Sequence, residues 1–344
     1  MKIGRVLHTV FSVALCVWVV AQFLAQEVKV PTSTEQEIPQ RIINTWKELR
    51  EKNMISGSIL IKQGDKTLFA DGSQDQTYAI SSMSKSFVGL KYAALENKGL
   101  DLNTPACKWL PSFCVTELNK VTLRLLLDHK AGFGRDLSFG YFLKRTFDST
   151  WTIQDIDHVN LTAKDLMNPP GVKYLYSNFG YLTLSRILEL IEQKSFSEIM
   201  GELQKDAHLT QTSVIAKGEI LPIQVLVPGT HAQTTLNLET ILYRSAGTGG
   251  IKSSAQDMAQ WLEYAKSLGL QKIFAKNKDH YRQGWVRSQK QSFEAYWHNG
   301  ASLGAYSLMA VIPKSDLKIV VLTNNFKFAK QWAEQAEQFE QYFY

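Results

Sequence analysis

The chain has 344 residues, 44% of them hydrophobic and 20% charged, with a formal net charge of +6. That is long enough for one large or two modest domains with real cores, and the ordinary composition excludes repeat arrays and low-complexity architectures. Lys2 and Arg5 supply two of the positive charges, and the remaining +4 is mild and scattered, which argues against a nucleic-acid partner.

Lys2 and Arg5 precede an apolar run from Val10 to Val20, and Val19-Val20-Ala21 offers a cleavage site of small or modest residues. This is a secretory pattern. Weakly apolar sequence from Val6 to Ala25 is also about long enough to span a bilayer. Residues 1–25 therefore read as a cleaved signal peptide or as a retained membrane anchor, and either one places the protein in the periplasm or cell envelope. Loss of the leader removes Cys16 and leaves Cys107 and Cys114. In an oxidising compartment these two either close a small loop or remain buried thiols, since spacing alone does not fix geometry.

Beyond the polar stretch Gln26–Glu35, Ile38, Ile42, Trp46 and Leu49 recur at helical spacing. Residues 57–62 and 66–70 read as two strands around a Gln63-Gly64-Asp65 turn. Ser82 to Lys98 reads as a helix, and residues 101 to about 245 mix helices with Pro- and Gly-marked loops. Strand patterns return at 284–287, 293–297, 306–312 and 317–322, with a turn at Pro313-Lys-Ser-Asp316. A last helix carries Trp332, Ala336, Phe339 and Phe343 on one face. The expected architecture is an α/β domain over 36–344. An antiparallel sheet flanked by terminal helices (about 36–100 and 246–344) joins a mainly helical lobe (about 101–245), with a cleft between them.

The chemistry centres on Ser82-Met-Ser-Lys85. At i and i+3 on a helix the two side chains share a face. A lysine desolvated in a cleft loses its charge more readily, so Lys85 can take the Ser82 proton as the hydroxyl attacks a carbonyl. A helix start there also offers the Ser82 N–H to an oxyanion. The motif alone is weak, because Ser315-Asp-Leu-Lys318 matches it in a strand turn. Two further elements strengthen it. Tyr176-Ser-Asn178, the one Tyr-x-Asn in the chain, follows Ser82 by 94 residues, and His298-Asn-Gly300 follows Tyr176 by 122 at the end of the 293–297 strand. A phenol can relay a proton, an amide can hold a carbonyl, and a glycine lets a substrate approach a strand edge.

In this order the three motifs resemble the serine β-lactamase and penicillin-binding-protein family, meaning class C β-lactamases, DD-peptidases and related esterases. The likeness runs over about 56–326 through Val121–His129, Ala131-Gly132, Pro170-Gly171, Ala246-Gly247, Gln283-Gly-Trp285 and Asn324-Asn325. It implies a hydrolase with an acyl-enzyme on Ser82, Lys85 as base and Tyr176 as acid–base relay. Asn178 would bind substrate and lysine, and the N–H groups of Ser82 and Ala301 would form the oxyanion hole. It implies no metal or cofactor, and a small-molecule or peptide-like substrate. His298 stands where β-lactamases of this kind carry lysine, so weaker recognition of carboxylate-bearing substrates is expected, favouring an ester or peptide hydrolase over a β-lactamase.

Other motifs read as structural. Gly300-Ala-Ser302-Leu-Gly304 mimics a nucleophile elbow, but no histidine follows it. Gly247-Thr-Gly-Gly250 reads as a tight loop before a helix capped by Ser254, and His129 reads as a loop residue.

Overall fold

The computed structural model describes residues 34–275, 279–290, 292–302, 304–325 and 336–343; the leader of residues 1–25 and Trp332 lie outside them. Helix α1 (Ile38–Glu51) forms along the expected apolar stripe, and Ile38, Ile42, Trp46 and Leu49 are all buried. Strands β1 (Gly57–Gln63) and β2 (Lys66–Asp71) make the first hairpin, and β3 (Tyr78–Ala79) follows. The intervening segment holds α2 (Ser84–Asn97), α3 (Leu123–Leu127), α4 (Phe139–Phe147), α5 (Asn178–Glu192) and α6 (Phe196–Asp206). Strands β4 (Ser213–Val214), β5 (Ile220–Leu226), β6 (Gln233–Glu239) and β7 (Ile251–Ser253) alternate with the short helix α7 (Ala246–Gly249). After α8 (Ala255–Ser267) and α9 (Leu270–Phe274) come β8 (Tyr281–Arg282), β9 (Trp285–Gln289), β10 (Glu294–Ser302), β11 (Ala305–Ile312) and β12 (Leu317–Thr323).

The main sheet is antiparallel in the order β2-β1-β12-β11-β10-β9-β8. Strand β1 pairs directly with β12, so the two ends of the chain complete one sheet and everything between them is carried on it. One face buries Ile59, Trp297, Tyr306, Leu308 and Val321 against α1 and against Phe339 and Phe343 of the C-terminal segment. The other face buries Leu60, Tyr296, Met309, Val320 and Leu322 together with the core of the helical segment. Both faces being covered explains why β11 and β12 are buried at every position and are largely apolar, with Ser307, Lys318 and Thr323 the polar exceptions.

Two expectations change. The ribbon β5–β6 is absent from the sequence reading because Pro222 interrupts the pattern. Both strands of a two-stranded ribbon are edges, where proline is tolerated. Strand β10 does not stop at Trp297: pairing with β11 continues to Ser302↔Ala305, so His298-Asn-Gly300 lies inside the strand. Cys107 and Cys114 are joined in a disulfide, with Cα atoms 4.8 Å apart. Ser254 caps α8 by accepting the Asp257 N–H at 3.1 Å.

Candidate active site

Ser82 sits in a 3₁₀ turn (Ser81–Met83) that runs into α2, so the Ser82–Lys85 spacing spans the junction of the two helix types. Ile80 and Met83 anchor the turn in the core, and Ser81 is held at φ 49°. That strained conformation beside a partly exposed serine is the kind of backbone active sites retain. Helix α2 is wrapped on nearly all sides, with Ser84 through Leu90 buried. The Gln283-Gly284 turn closes over it. A Cβ on Gly284 would meet the Lys85 carbonyl oxygen at 2.3 Å, and its φ of 81° suits only glycine.

Lys85 is fully buried. Its Nζ lies 3.1 Å from Ser82 Oγ, 3.0 Å from Asn178 Oδ1 and 2.9 Å from the Thr248 carbonyl oxygen. Burial lowers its pKa well below 10.5, helped by the Arg135 charge and opposed by Asp136. The three neighbours then have distinct roles. Both carbonyl oxygens only accept, and the Asn178 amide is oriented by its Nδ2, which donates to the Asp136 carboxylate at 3.3 Å. In its neutral form the amine would have two N–H groups for these two acceptors, leaving its lone pair for the Ser82 hydroxyl.

Tyr176 donates its hydroxyl to Ser82 Oγ at 2.9 Å. Burial pushes its pKa up to about 12, so it is a phenol at neutral pH and leaves the role of base to Lys85. His129 grips Tyr176 from both sides: its carbonyl accepts the Leu175 N–H at 2.7 Å and its Nδ1 accepts the Ser177 N–H at 3.1 Å. The His129 ring lies 4.3 Å from the Tyr176 ring. Ser177 caps α5 by accepting the Gly180 N–H, which places Asn178 in its first turn.

Strand β10 forms the facing wall. His298 and Gly300 face the nucleophile, while Asn299 points to the other side and donates to Glu340 at 2.6 Å. A Cβ on Gly300 would lie 2.5 Å from the Ile80 carbonyl oxygen and 2.8 Å from Ser82 N, so the strand touches the nucleophile turn. Tyr306 N and O both bond Thr323 Oγ1 on the β12 side. The Ala301↔Tyr306 pair is therefore the non-hydrogen-bonded kind, and the Ala301 N–H points away from β11. Strand β9 pairs with β10 only through Trp297, so that N–H faces the open edge beside Ser82.

His298 departs from a substrate-facing third-motif residue. It is buried, its Nε2 lies 3.1 Å from the Tyr281 hydroxyl, and burial drives its pKa down to about 3. It is a neutral, enclosed imidazole. Ser302 accepts from Ser81 Oγ at 2.8 Å and is followed by strand, not helix. Trp285 and Trp297 belong to the cores. Among the described residues no group of His, Cys, Asp and Glu is arranged to hold a metal ion.

The sequence thus located Ser82, Lys85, Tyr176, Asn178, Gly300 and Ala301, which the fold brings together. It missed Thr248, Asp136 and Arg135 and undervalued His129. A backbone carbonyl carries no residue signal, and the others act through contacts between distant segments.

Fold and site together join an antiparallel sheet and a mainly helical segment around a hydrogen-bonded Ser82–Lys85–Tyr176 cluster. A family model described as Beta-lactamase matches residues 43–340, and the chain belongs to that family. Among curated proteins it is similar to Protein flp of Staphylococcus aureus strain NCTC 8325 / PS 47, at 22% identity over 80% of this chain and 61% of that protein. It also resembles Penicillin-binding protein 4* of Bacillus subtilis strain 168, at 27% over 45% and 37%. The chain spans about three-fifths of the length of the first of these. Among solved structures, D-amino acid amidase from Ochrobactrum anthropi SV3 superposes with a TM-score of 0.70 at 17% identity, covering 89% of this chain and 98% of that one. A D-stereospecific amidohydrolase from Streptomyces sp. superposes at 0.66 with 18% identity over 86% and 98%. At these identities the likeness shows the fold.

Proposed function

We propose that the protein hydrolyses an ester or amide through an acyl-enzyme on Ser82. The observation that carries this reading is one hydroxyl oxygen held between a buried, depressed-pKa amine at 3.1 Å and a phenol at 2.9 Å. In acylation Ser82 Oγ bonds to the substrate carbonyl carbon and its proton passes to Lys85 Nζ. The oxyanion lies between the N–H groups of Ser82 and Ala301. As the bond to the leaving alkoxide or amine breaks, Tyr176 donates a proton to it and takes one in turn from protonated Lys85, whose Nζ lies 4.9 Å from the centre of the Tyr176 ring. Water then attacks the ester carbon, gives up its proton to the same pair and frees Ser82.

Ester or peptide-like amide substrates are favoured over β-lactams because His298 is enclosed and neutral and leaves the third motif without a cation. Two of the solved neighbours are titled D-amino acid amidase and D-stereospecific amidohydrolase, which supports an amide among the substrates. The test is a fluorophosphonate label, followed by hydrolysis of short-chain p-nitrophenyl esters, D-amino-acid amides and a cephalosporin. Labelling at Ser82 with ester or amide turnover is expected. No label, or a label on Ser302, overturns the reading.

A further inference from the structure

Ser81, the residue before the nucleophile, adopts φ 49°, a left-handed conformation that glycine takes without steric cost and a residue with a Cβ does not. What the side chain does there offsets the strain. The buried Ser81 hydroxyl crosses to strand β10 and donates to Ser302 Oγ at 2.8 Å, joining residues 221 positions apart. Ser302 is itself paired with Ala305 in the β10–β11 ladder, so the acceptor is part of the main sheet.

Chain connectivity gives this bond its meaning. The donors assigned to the oxyanion are Ser82 N–H and Ala301 N–H. Ser81 immediately precedes the first and Ser302 immediately follows the second, so the bond bridges the donor pair one step along the chain from each. Gly300 and Ser302 lie on the same face of β10, two residues apart, on either side of Ala301. At Gly300 the strand already touches the turn, where a Cβ would lie 2.5 Å from the Ile80 carbonyl oxygen and 2.8 Å from Ser82 N. That contact limits how closely the two segments approach, and the Ser81–Ser302 bond limits how far they part. We propose that Ser81 and Ser302 are positioning residues, whose hydroxyl–hydroxyl bond fixes the gap between the two oxyanion donors. They act through Ser82 N–H and Ala301 N–H, not by touching the substrate. Donors held at a fixed spacing need no rearrangement as charge develops on the carbonyl oxygen, and that preorganisation is the source of their effect on rate.

This inference rests on the hydrolase reading, and the experiment separates the two. kcat and KM for p-nitrophenyl butyrate are measured in wild type, Ser81→Gly, Ser302→Ala, the double variant and Ser302→Thr, at a temperature below the melting of every variant. Ser81→Gly removes the hydroxyl and the strain together, so a slower enzyme there does not come from a strained turn. Each single loss of a hydroxyl should lower kcat roughly threefold to tenfold, the worth of one hydrogen bond and well short of losing a whole oxyanion donor. KM should stay near the wild-type value, because the contact matters only in the transition state. The double variant should be no slower than the slower single one, since both break the same bond, and Ser302→Thr, which keeps the hydroxyl, should stay near wild type. The inhibition constant of phenylboronate, which adds to Ser82 as a tetrahedral adduct, should rise in step with the fall in kcat. Unchanged kcat in both single variants overturns the clamp, and so do effects that multiply in the double variant. A Ser302→Ala protein with raised KM and unaltered kcat places that hydroxyl on the substrate and also overturns it. If the wild type turns over no ester, the hydrolase reading fails, and the phenylboronate constants then decide the clamp alone: equal values in wild type and variants overturn it, and a wild type that does not bind the boronate overturns both.

Discussion

Gly300→Ala isolates the contact between strand β10 and the nucleophile turn. The added methyl would sit 2.5 Å from the Ile80 carbonyl oxygen, 2.6 Å from Ser307 Oγ and 2.8 Å from Ser82 N. Relief requires the strand and the turn to separate by roughly half an ångström, back toward ordinary contact distance. Overpacking of this kind costs about 1–3 kcal/mol of stability. The same movement shifts Ser82 N–H against Ala301 N–H, the pair assigned to the oxyanion, and loss of one such donor costs about 10²–10³ in turnover. The two effects separate in the double variant. Ser307→Ala removes the one side-chain clash, whereas Ile80 O and Ser82 N are backbone and cannot be trimmed. Gly300→Ala/Ser307→Ala should therefore recover part of the melting temperature but little of kcat. The assays are thermal unfolding and p-nitrophenyl ester kinetics on the single and double variants. A Gly300→Ala protein with wild-type kcat would refute both the close approach and the oxyanion assignment.

Ser82→Ala should abolish labelling and reduce turnover by roughly three orders of magnitude or more. Lys85→Met should do the same while leaving the protein at least as stable at pH 7. Unfolded Lys85 keeps its proton up to its ordinary 10.5 and folded Lys85 loses it earlier, so folding expels a proton between those pH values and stability rises with pH across that window. Comparing melting temperatures of wild type and Lys85→Met from pH 7 to 10 checks this, and a Met variant that melts lower at pH 7 contradicts it. His298→Lys should lower the melting temperature by about 5 °C or more, because position 298 buries the new ammonium. Replacing Cys107 and Cys114 by serine should cost about 2–2.5 kcal/mol in denaturant unfolding, the chain-entropy value for a loop this short.

Much of this protein is local and was therefore legible. The stripe Ile38, Ile42, Trp46, Leu49 specifies an amphipathic helix wherever it packs, and the runs at 306–312 and 317–322 specify buried strands. Ser82, Lys85, Tyr176 and Asn178 stand out because side-chain chemistry at short spacing needs no fold to be recognised. Where a property depends on what a distant segment places nearby, the sequence was silent or misleading. His298 reads as a substrate ligand from its motif, yet Tyr281 and the helical segment enclose it and hold it neutral. Lys85 is fitted to act as a base only because the fold buries it fully and sets the Thr248 carbonyl and Asn178 as acceptors for its N–H groups. Asp136, Arg135 and Arg145 look like scattered surface charges until the 132–136 loop settles on α5 and Asp136 meets Asn178 and both arginines, because an ion pair depends on distance in space, and only the tertiary structure sets that distance.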